Sequence, residues 1–252
     1  MNDQEDKLFT ARLSDMVSLC ERDSSPHFSS FLDERQCALA EMWCRRNTGG
    51  LHWLLWGGFP EARRKMLAVF PDFCDDYITE EFPVKCLTFS YRREDRLSHR
   101  DFLGTFMGLR LRRETIGDII ADEGKAQVFV TEVAARLITA SVSKIGRVGV
   151  KVDDQRPFEL TVKQEFQNIS GTVASMRLDC IVGLAAKLSR EKAAALIRSE
   201  KVDINHFTAS SVSAELHEGD VLSIRGCGRF VLAGIDGSTK KGRLHIILRK
   251  YI

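Results

Sequence analysis

Residues 176–205, "MRLDCIVGLAAKLSREKAAALIRSEKVDIN", carry the clearest secondary-structure pattern in the last third of this sequence. The first half of this stretch places apolar side chains on one helical face, at Leu178, Ile181, Val182, Ala185 and Leu188. Ser189 can end this helix and cap a second one, and Glu191 follows in the first turn, where a negative charge suits the helix dipole. "KVDIN", residues 201–205, then alternates as a strand. The stretch therefore predicts two short helices that lead into a sheet.

The residues that follow predict an antiparallel sheet. "EGDVLSIRGCGRFVLAGI" (218–235) and "GRLHIIL" (242–248) are strand-like, and the polar run "DGSTKKGR" (236–243) connects them. Before the helices, "QNISGTVAS" (167–175) is polar and contains glycine, which is typical of a linker. We therefore predict a C-terminal domain over residues 175–252, with two helices beside a small antiparallel sheet.

Residues 83–168 predict a middle domain with the order β-α-β-β-α-β and one extra strand, which is the ferredoxin-like (split βαβ) arrangement. Strands are expected at "VKCLTFSY" (84–91), "TIGDIIA" (115–121), "AQVFV" (126–130), "RVGVKV" (147–152) and "FELTVKQEF" (158–166). One helix starts at Ser98, and another follows Thr131 and is closed by Gly146. Many RNA-binding domains of this fold stack bases on sheet aromatics, and of that signature only Phe129 is in place here. The sequence leaves open whether this domain contacts RNA.

Residues 1–82 are expected to form a helical N-terminal domain. Apolar residues recur at helical spacing over residues 8–20 and 31–45. "GGFPEARRKMLAVFP" (57–71) has Pro60 near its start and Pro71 past its end, which is the punctuation of another helix. Together the three parts predict an α+β protein.

The composition is that of a globular protein whose charged residues are unevenly distributed along the chain. The chain has 252 residues and no apolar run long enough for a membrane helix, and residues 1–6 are polar and acidic, unlike a signal peptide. We therefore expect a cytoplasmic protein with no membrane partner, and we expect it to be a monomer. Residues 176–252 hold 13 Lys and Arg against 8 Asp and Glu, a net +5, whereas the rest of the chain is −3. A basic third indicates an acidic partner, most often nucleic acid. The seven cysteines are odd in number and form no Cys-x-x-Cys pair, which argues against a disulfide framework or a zinc site.

The last 75 residues resemble the S-four-type RNA-binding domain. The matching residues are Arg177-Leu178-Asp179, Ser189-Arg190, Ala193-Ala194, Leu196-Ile197, Val202, Asn205 and Glu218-Gly219-Asp220-Val221. Glu200 and His206 depart from the pattern at positions where glycine is usual.

Nearly the whole chain is similar to the YlmH family of bacterial proteins. The resemblance rests on "RGCGRF" and "TKKGR" in the last third and on "GGFPEARR", "LSHRDFLG" and "RRETIGDI" upstream. It implies association with the large ribosomal subunit, binding of rRNA and tRNA, and a role in ribosome-associated quality control of stalled nascent chains. A protein partner in quality control is a further implication.

The resemblance also indicates which residues face RNA. Small domains of this type present the start of the second helix and the adjoining sheet loops to structured RNA. The candidates at the helix junction are Arg177, Ser189, Arg190 and Lys192, and those expected together at the sheet end are Arg225, Arg229, Lys240, Lys241 and Arg243. Gly226 and Gly228 would let backbone N–H groups approach phosphate, or alternatively would only shape a bulge. A basic but merely solvated face is the other interpretation of these charges.

The sequence gives no catalytic constellation, and we expect no catalytic residue, no metal and no cofactor. Pseudouridine synthases carry an Arg-Leu-Asp before a Thr-Ser-Gly-like turn, whereas here Arg177-Leu178-Asp179 runs into a helix. Asp118 in "IGDII" has no identifiable acid or base partner, which favours a turn or sheet-end role. An RNA-modifying enzyme and a cell-division-linked protein-interaction factor remain the alternatives to an RNA-binding adaptor.

Overall fold

The computed structural model describes residues 3–74, 77–162, 165–239 and 242–252. The chain divides into two compact units, Met1–Val162 and Lys163–Ile252. Both units combine helices with antiparallel sheet, so the predicted α+β class is confirmed. Within these residues, no helix combines the length and hydrophobicity that crossing a bilayer requires.

The first unit begins with helices around a small sheet. Its first elements are α1 (Asp3–Asp23), β1 (His27–Phe28), α2 (Glu34–Asn47), β2 (His52–Trp56), β3 (Met66–Phe70) and α3 (Ile78–Glu81). The three strands pair antiparallel in the order β1-β3-β2. Asp33 starts α2 with a capping box, because its carboxylate accepts the Gln36 N–H while the Gln36 side chain accepts the Asp33 N–H.

The prediction of a helix over residues 57–71 is wrong. Met66–Phe70 is the central strand β3, and all five of its side chains are buried. A short apolar run fits a fully buried strand as well as a buried helix, because periodicity distinguishes the two only when one face is polar. The expectation of a mostly helical N-terminal part is therefore only half right.

The middle of the first unit has the predicted ferredoxin-like topology. Its elements are β4 (Val84–Ser90), α4 (His99–Gly108), β5 (Ile116–Asp122), β6 (Lys125–Thr131), α5 (Glu132–Ser141), β7 (Lys144–Ile145), β8 (Val148–Gly149) and β9 (Lys151–Asp153). The sheet is antiparallel with the order β5-β6-β4-β9, and α4 and α5 pack on one face. Helix α5 ends at Ser141 rather than at Gly146, which forms the turn between β7 and β8 with a φ of 57°.

The other face of this sheet is closed by protein. Phe129 is 2% exposed, and its ring centroid lies 4.8 Å from that of Phe59 and 5.1 Å from that of Phe158. The aromatic residue that the sequence singled out for base stacking is therefore part of the core. Bases cannot stack on Phe129 without opening this packing.

Gln127 fixes the segment that covers this face. Its Oε1 atom accepts the N–H groups of Glu159 and Leu160 at 2.8 and 3.0 Å, and its Nε2 atom donates to the carbonyl of Pro157 at 2.8 Å. Residues 157–162 form no strand, so the strand expected over 158–166 is wrong in its first half; residues 163–164 lie outside the described part.

The second unit is a six-stranded sheet with two helices on one face. Its elements are β10 (Phe166–Val173), α6 (Leu178–Ala186), α7 (Arg190–Arg198), β11 (Val202–Ile204), β12 (Phe207–Thr208), β13 (Val221–Ile224), β14 (Gly228–Ser238) and β15 (Leu244–Tyr251). The strands pair antiparallel in the order β10-β15-β14-β13-β11-β12. Leu178, Ile181 and Ile197 of the helices share one core with Phe230 and Leu248 of the sheet.

The segment predicted to be a linker is strand β10. It pairs with β15 over eight residues, from Phe166 opposite Tyr251 to Val173 opposite Leu244. The unit therefore begins before the predicted boundary at residue 175. The predicted separation of residues 1–82 from 83–168 stays a prediction, although Phe31 and Phe129 belong to one hydrophobic cluster.

Candidate nucleic-acid interface

The junction between α6 and α7 is a tight turn closed by backbone hydrogen bonds. Lys187 adopts a left-handed conformation with a φ of 54°, and the Leu188 N–H donates to the carbonyl of Gly183 at 2.8 Å. Ser189 then caps α7, because its hydroxyl accepts the Lys192 N–H at 3.4 Å. This is the cap that the sequence predicted. The Ser189 hydroxyl has a structural partner, which is a different role from the predicted RNA contact.

Two of the predicted RNA-binding arginines converge on one buried carboxylate. Asp179 is 2% exposed; the Nε atom of Arg177 lies 3.2 Å from its Oδ1 atom, and that of Arg190 lies 2.7 Å from its Oδ2 atom. Burial raises the pKa of Asp179, but the bonds from Arg177 and Arg190 outweigh it and lower the pKa to about 2. The triad joins the starts of α6 and α7, so both arginines also hold the fold.

Lys192 and Arg190 differ in what they offer a ligand at this junction. The Arg190 side chain is 63% exposed and keeps donors for solvent or phosphate beyond its bond to Asp179. Lys192 is exposed in the first turn of α7, and no carboxylate of the described chain lies within ion-pair distance of its ammonium group. Its charge is available to an anion without breaking an internal contact.

The stretch "RGCG" forms the turn between β13 and β14. Ile224 pairs with Gly228, so Arg225, Gly226 and Cys227 make a three-residue loop. Gly226 and Gly228 have φ angles of 83° and 117°, which residues with a Cβ rarely adopt. The feature is a hairpin turn, and three-residue hairpin loops of this kind commonly contain a glycine bulge, so shaping the turn is a sufficient role for both glycines. A close approach of this backbone to RNA stays a prediction.

The two arginines that flank this turn have different surroundings. Arg225 is exposed, and its N–H donates to the carbonyl of Lys201 at 2.9 Å. Arg229 is half-buried, with its guanidinium carbon 4.9 Å from the centre of the Tyr251 ring. Lys201 and Lys250 also lie at this end, and neither was among the residues predicted from the sequence. Strand register alone reveals Lys250, which pairs with Phe230 beside the turn.

Arg243 lies at the opposite end of the sheet. Its guanidinium donates to the carbonyl of Thr172 on β10 at 2.8 Å, and Lys240 and Lys241 lie outside the described residues. Strand β14 has 11 residues and separates this end from the "RGCG" turn by about 30 Å. The prediction that Arg225, Arg229 and Arg243 lie together at one sheet end is wrong, because successive hairpin turns alternate ends.

Asp118 occupies a bulge in β5 and binds the loop before β3. The register of β5 against β6 shifts between Ile116 and Ile119. The carboxylate accepts the backbone N–H groups of Arg63 and Arg64 at 2.6 and 3.3 Å. The sequence favoured a turn or sheet-end role, whereas Asp118 lies inside β5 at this bulge and holds the neighbouring loop. In the described part of the chain, no three His, Cys, Asp or Glu side chains are placed to hold a metal ion.

Comparison with known proteins identifies the family. A relative from Bacillus subtilis (strain 168), "Ribosome-associated protein quality control protein P2", is 31% identical over 227 residues, covering 88% of this chain and 86% of the relative. The chain belongs to the YlmH family. A family profile described as "Putative RNA-binding domain in YlmH" matches residues 78–159.

A solved YlmH structure shares the fold. "Cell division protein ylmH from Streptococcus pneumoniae" matches with a TM-score of 0.53 and 20% identity, covering 62% of this chain and 94% of that one. The span of the YlmH profile contains the ferredoxin-like sheet and residues 157–159, the first half of the segment that covers it. In this YlmH family member the open sheet face that could stack bases is absent from that span, as far as the described residues go.

Proposed function

We propose that this protein binds rRNA and tRNA on the large ribosomal subunit and acts in ribosome-associated quality control of stalled nascent chains. The observation that carries the proposal is the 31% identity, over 88% of the chain, to a relative whose name assigns it to ribosome-associated protein quality control. The protein acts without covalent chemistry, as a cytoplasmic monomer, with a quality-control protein as a further partner.

The second unit supplies the RNA contacts in this proposal. Lys192, Arg225 and Arg243 are exposed cations on three separate loops or helix starts of a small sheet domain. Lysine and arginine side chains in such positions bind phosphate oxygens, and the +5 charge of residues 176–252 favours an RNA surface over a neutral partner. The two helices beside the sheet fit the S-four-type arrangement that the sequence resembles.

Co-sedimentation with ribosomal subunits tests this function. The wild-type chain is expected in the large-subunit fraction and is released by ribonuclease. The Lys192→Glu, Arg225→Glu double variant is expected to stay in the supernatant, whereas Arg46→Glu on α2, an exposed charge reversal of the same kind, is expected to sediment normally. Sedimentation of the double variant like wild type would refute the RNA surface, and binding that survives ribonuclease would favour the protein-interaction alternative.

An RNA-modifying enzyme is the second alternative. Asp179 and Asp118, the two carboxylates considered for chemistry, are engaged by arginine side chains and by backbone N–H groups respectively, which supports structural roles. Mass spectrometry of ribosomal and transfer RNA from cells with and without the gene decides the matter. A modification that follows the gene, and that the purified protein restores, would overturn the adaptor function.

A further inference from the structure

Three upstream sequence blocks meet at one place in the first unit. Arg64 comes from "GGFPEARR", Arg113 and Asp118 from "RRETIGDI", and His99 from "LSHRDFLG". Asp118 holds the backbone of Arg64, and the charges of Asp118 and Arg113 both act on His99, whose pKa is lowered chiefly by burial. The proposed RNA surface in the second unit uses none of these residues.

Both arginines are held by carbonyl oxygens. The Nε atom of Arg64 donates to Ile116 O at 2.9 Å, and its terminal nitrogen donates to Phe31 O at 3.1 Å and to Arg113 O at 3.3 Å. Arg113 donates to the same Ile116 carbonyl at 2.5 Å. The two guanidinium groups therefore share an acceptor and lie side by side.

These two positive charges have no carboxylate in contact. Across the described ranges, no Asp or Glu oxygen lies within 4 Å of a guanidinium nitrogen of Arg64 or Arg113. Burial, followed by the charge of Arg64, lowers the pKa of Arg113 to about 10, although Asp118 and Asp33 act from a distance in the opposite direction. The two guanidinium groups repel each other, are half-buried, and are bonded only to carbonyl oxygens. A bound anion would therefore stabilise both positive charges.

The arginines line a cavity open to an anion. The cavity measures about 470 Å³, and its wall includes Arg12 and Ser30 beside Arg64 and Arg113. The hydroxyl of Ser29, also in the wall, already donates to the carbonyl of Ser30 at 2.8 Å. Serine hydroxyls and guanidinium groups are the usual donors to phosphate oxygens.

The acidic residues of the cavity wall already have partners. Glu114 is bridged by Arg112 at 3.1 Å, and Asp33 caps α2.

We propose that this cavity binds a phosphate group of the RNA backbone, with Arg113 and Arg64 as its donors and Arg12 at its rim. The proposal rests on the proposed function, since it assumes an RNA ligand, and it gives the first unit its own contact with that ligand. The closed sheet face around Phe129 removes the usual base-stacking route, so RNA recognition in this unit depends on charge rather than on aromatic stacking.

Salt-dependent binding of labelled transfer RNA to the full chain tests the cavity. Arg113→Gln and Arg12→Glu are each expected to flatten the slope of log affinity against log salt by about one unit, as the loss of one phosphate contact does. Arg46→Glu, on the exposed side of α2, is the matched control and is expected to leave the slope unchanged. Thermal melting of each variant accompanies the binding data, and Arg12→Glu is informative even if Arg113→Gln unfolds, because Arg12 is exposed. Unchanged slopes for both folded variants overturn the proposal.

NMR of the arginine Nε–H groups in the full chain identifies the source of the phosphate. Transfer RNA is expected to shift the Arg113 signal, whereas millimolar inorganic phosphate is not. An Arg113 signal that stays fixed while signals near Lys192 and Arg225 shift refutes the cavity and leaves the proposed RNA surface standing. The opposite pattern supports the cavity and refutes the surface. Equal shifts with inorganic phosphate overturn the RNA assignment in favour of a small phosphate ligand.

Discussion

At the scale of single residues, Asp179 shows how a buried ion pair escapes prediction from sequence. Its sequence position at a helix start was predicted, but its burial and its two arginine partners were not, because Arg177 and Arg190 meet it only when α6 and α7 pack. Arg190 illustrates the consequence for site prediction. An exposed arginine at a helix start resembles a free RNA contact in sequence, yet reversing its charge would place a second carboxylate beside a buried one.

Replacing Asp179 with Asn is expected to change how stability depends on pH. The folded pKa of about 2 lies below the ordinary value of 3.8, so the carboxylate contributes stability that is fully present above pH 4 to 5 and is lost as pH falls towards 2. This contribution is about 2 kcal/mol. Urea unfolding of the second unit at a series of pH values measures it. The variant is expected to be less stable at neutral pH, with the difference shrinking in acid; a constant difference would contradict the lowered pKa.

Substitutions at Gly226 can distinguish two reasons for a glycine in the "RGCG" turn, namely its positive φ angle and a close approach of RNA to the backbone. A Cβ at this position would meet no atom within 4 Å, so the demand there is the φ of 83°. Asn tolerates such angles, and Gly226→Asn is expected to cost less than about 1 kcal/mol, whereas Gly226→Val is expected to cost more. If backbone approaches RNA here, the Asn variant melts nearly like wild type but binds RNA more weakly. Equal RNA affinity would leave the turn with a conformational role alone.

At the scale of elements, the sequence predicted where helices begin better than it predicted whether a segment is a helix, a strand or a linker. Ser98, Thr131 and Ser189 each begin a helix as expected, because a cap bonds to its own next turn. Strand β3 was missed because all its residues are apolar and buried. Without polar residues between them, the sequence shows neither the two-residue period of a strand nor the 3.6-residue period of a helix. Strand β10 was missed for the opposite reason: it is an edge strand with only Val173 buried, so its sequence resembles a linker.

Strand length also separates the basic loops into two sites that can be tested one at a time. Arg225→Glu and Arg243→Glu change charges at opposite ends of β14. If one RNA spans both ends, each variant is expected to flatten the salt dependence of binding by about one unit, and the two effects are expected to add. Fluorescence anisotropy with structured RNA gives both slopes. An effect of Arg225→Glu without one of Arg243→Glu would confine the RNA to the "RGCG" end.

At the scale of the whole molecule, the boundary between the units lies between residues 162 and 163, ahead of the stretch 167–175 that was predicted to be a linker. A fragment of residues 163–252 is expected to fold with one cooperative melt, because it contains all six strands. A fragment of residues 175–252 lacks β10, which pairs with eight residues of β15 and buries Val173. It is expected to melt at a lower temperature or to aggregate through the exposed edge. Circular dichroism of both fragments checks this, and equal melting temperatures would show that β10 is dispensable.

The pairing of β10 with β15 also has a consequence for synthesis. These are the first and last strands of the second unit, so the nascent chain displays an unpaired edge until β15 has left the exit tunnel. The first unit pairs its strands before that point and can be folded already. We expect the sheet of the second unit to be complete only after β15 has left the exit tunnel, so the RNA-binding surface proposed for this unit forms after the first unit has folded.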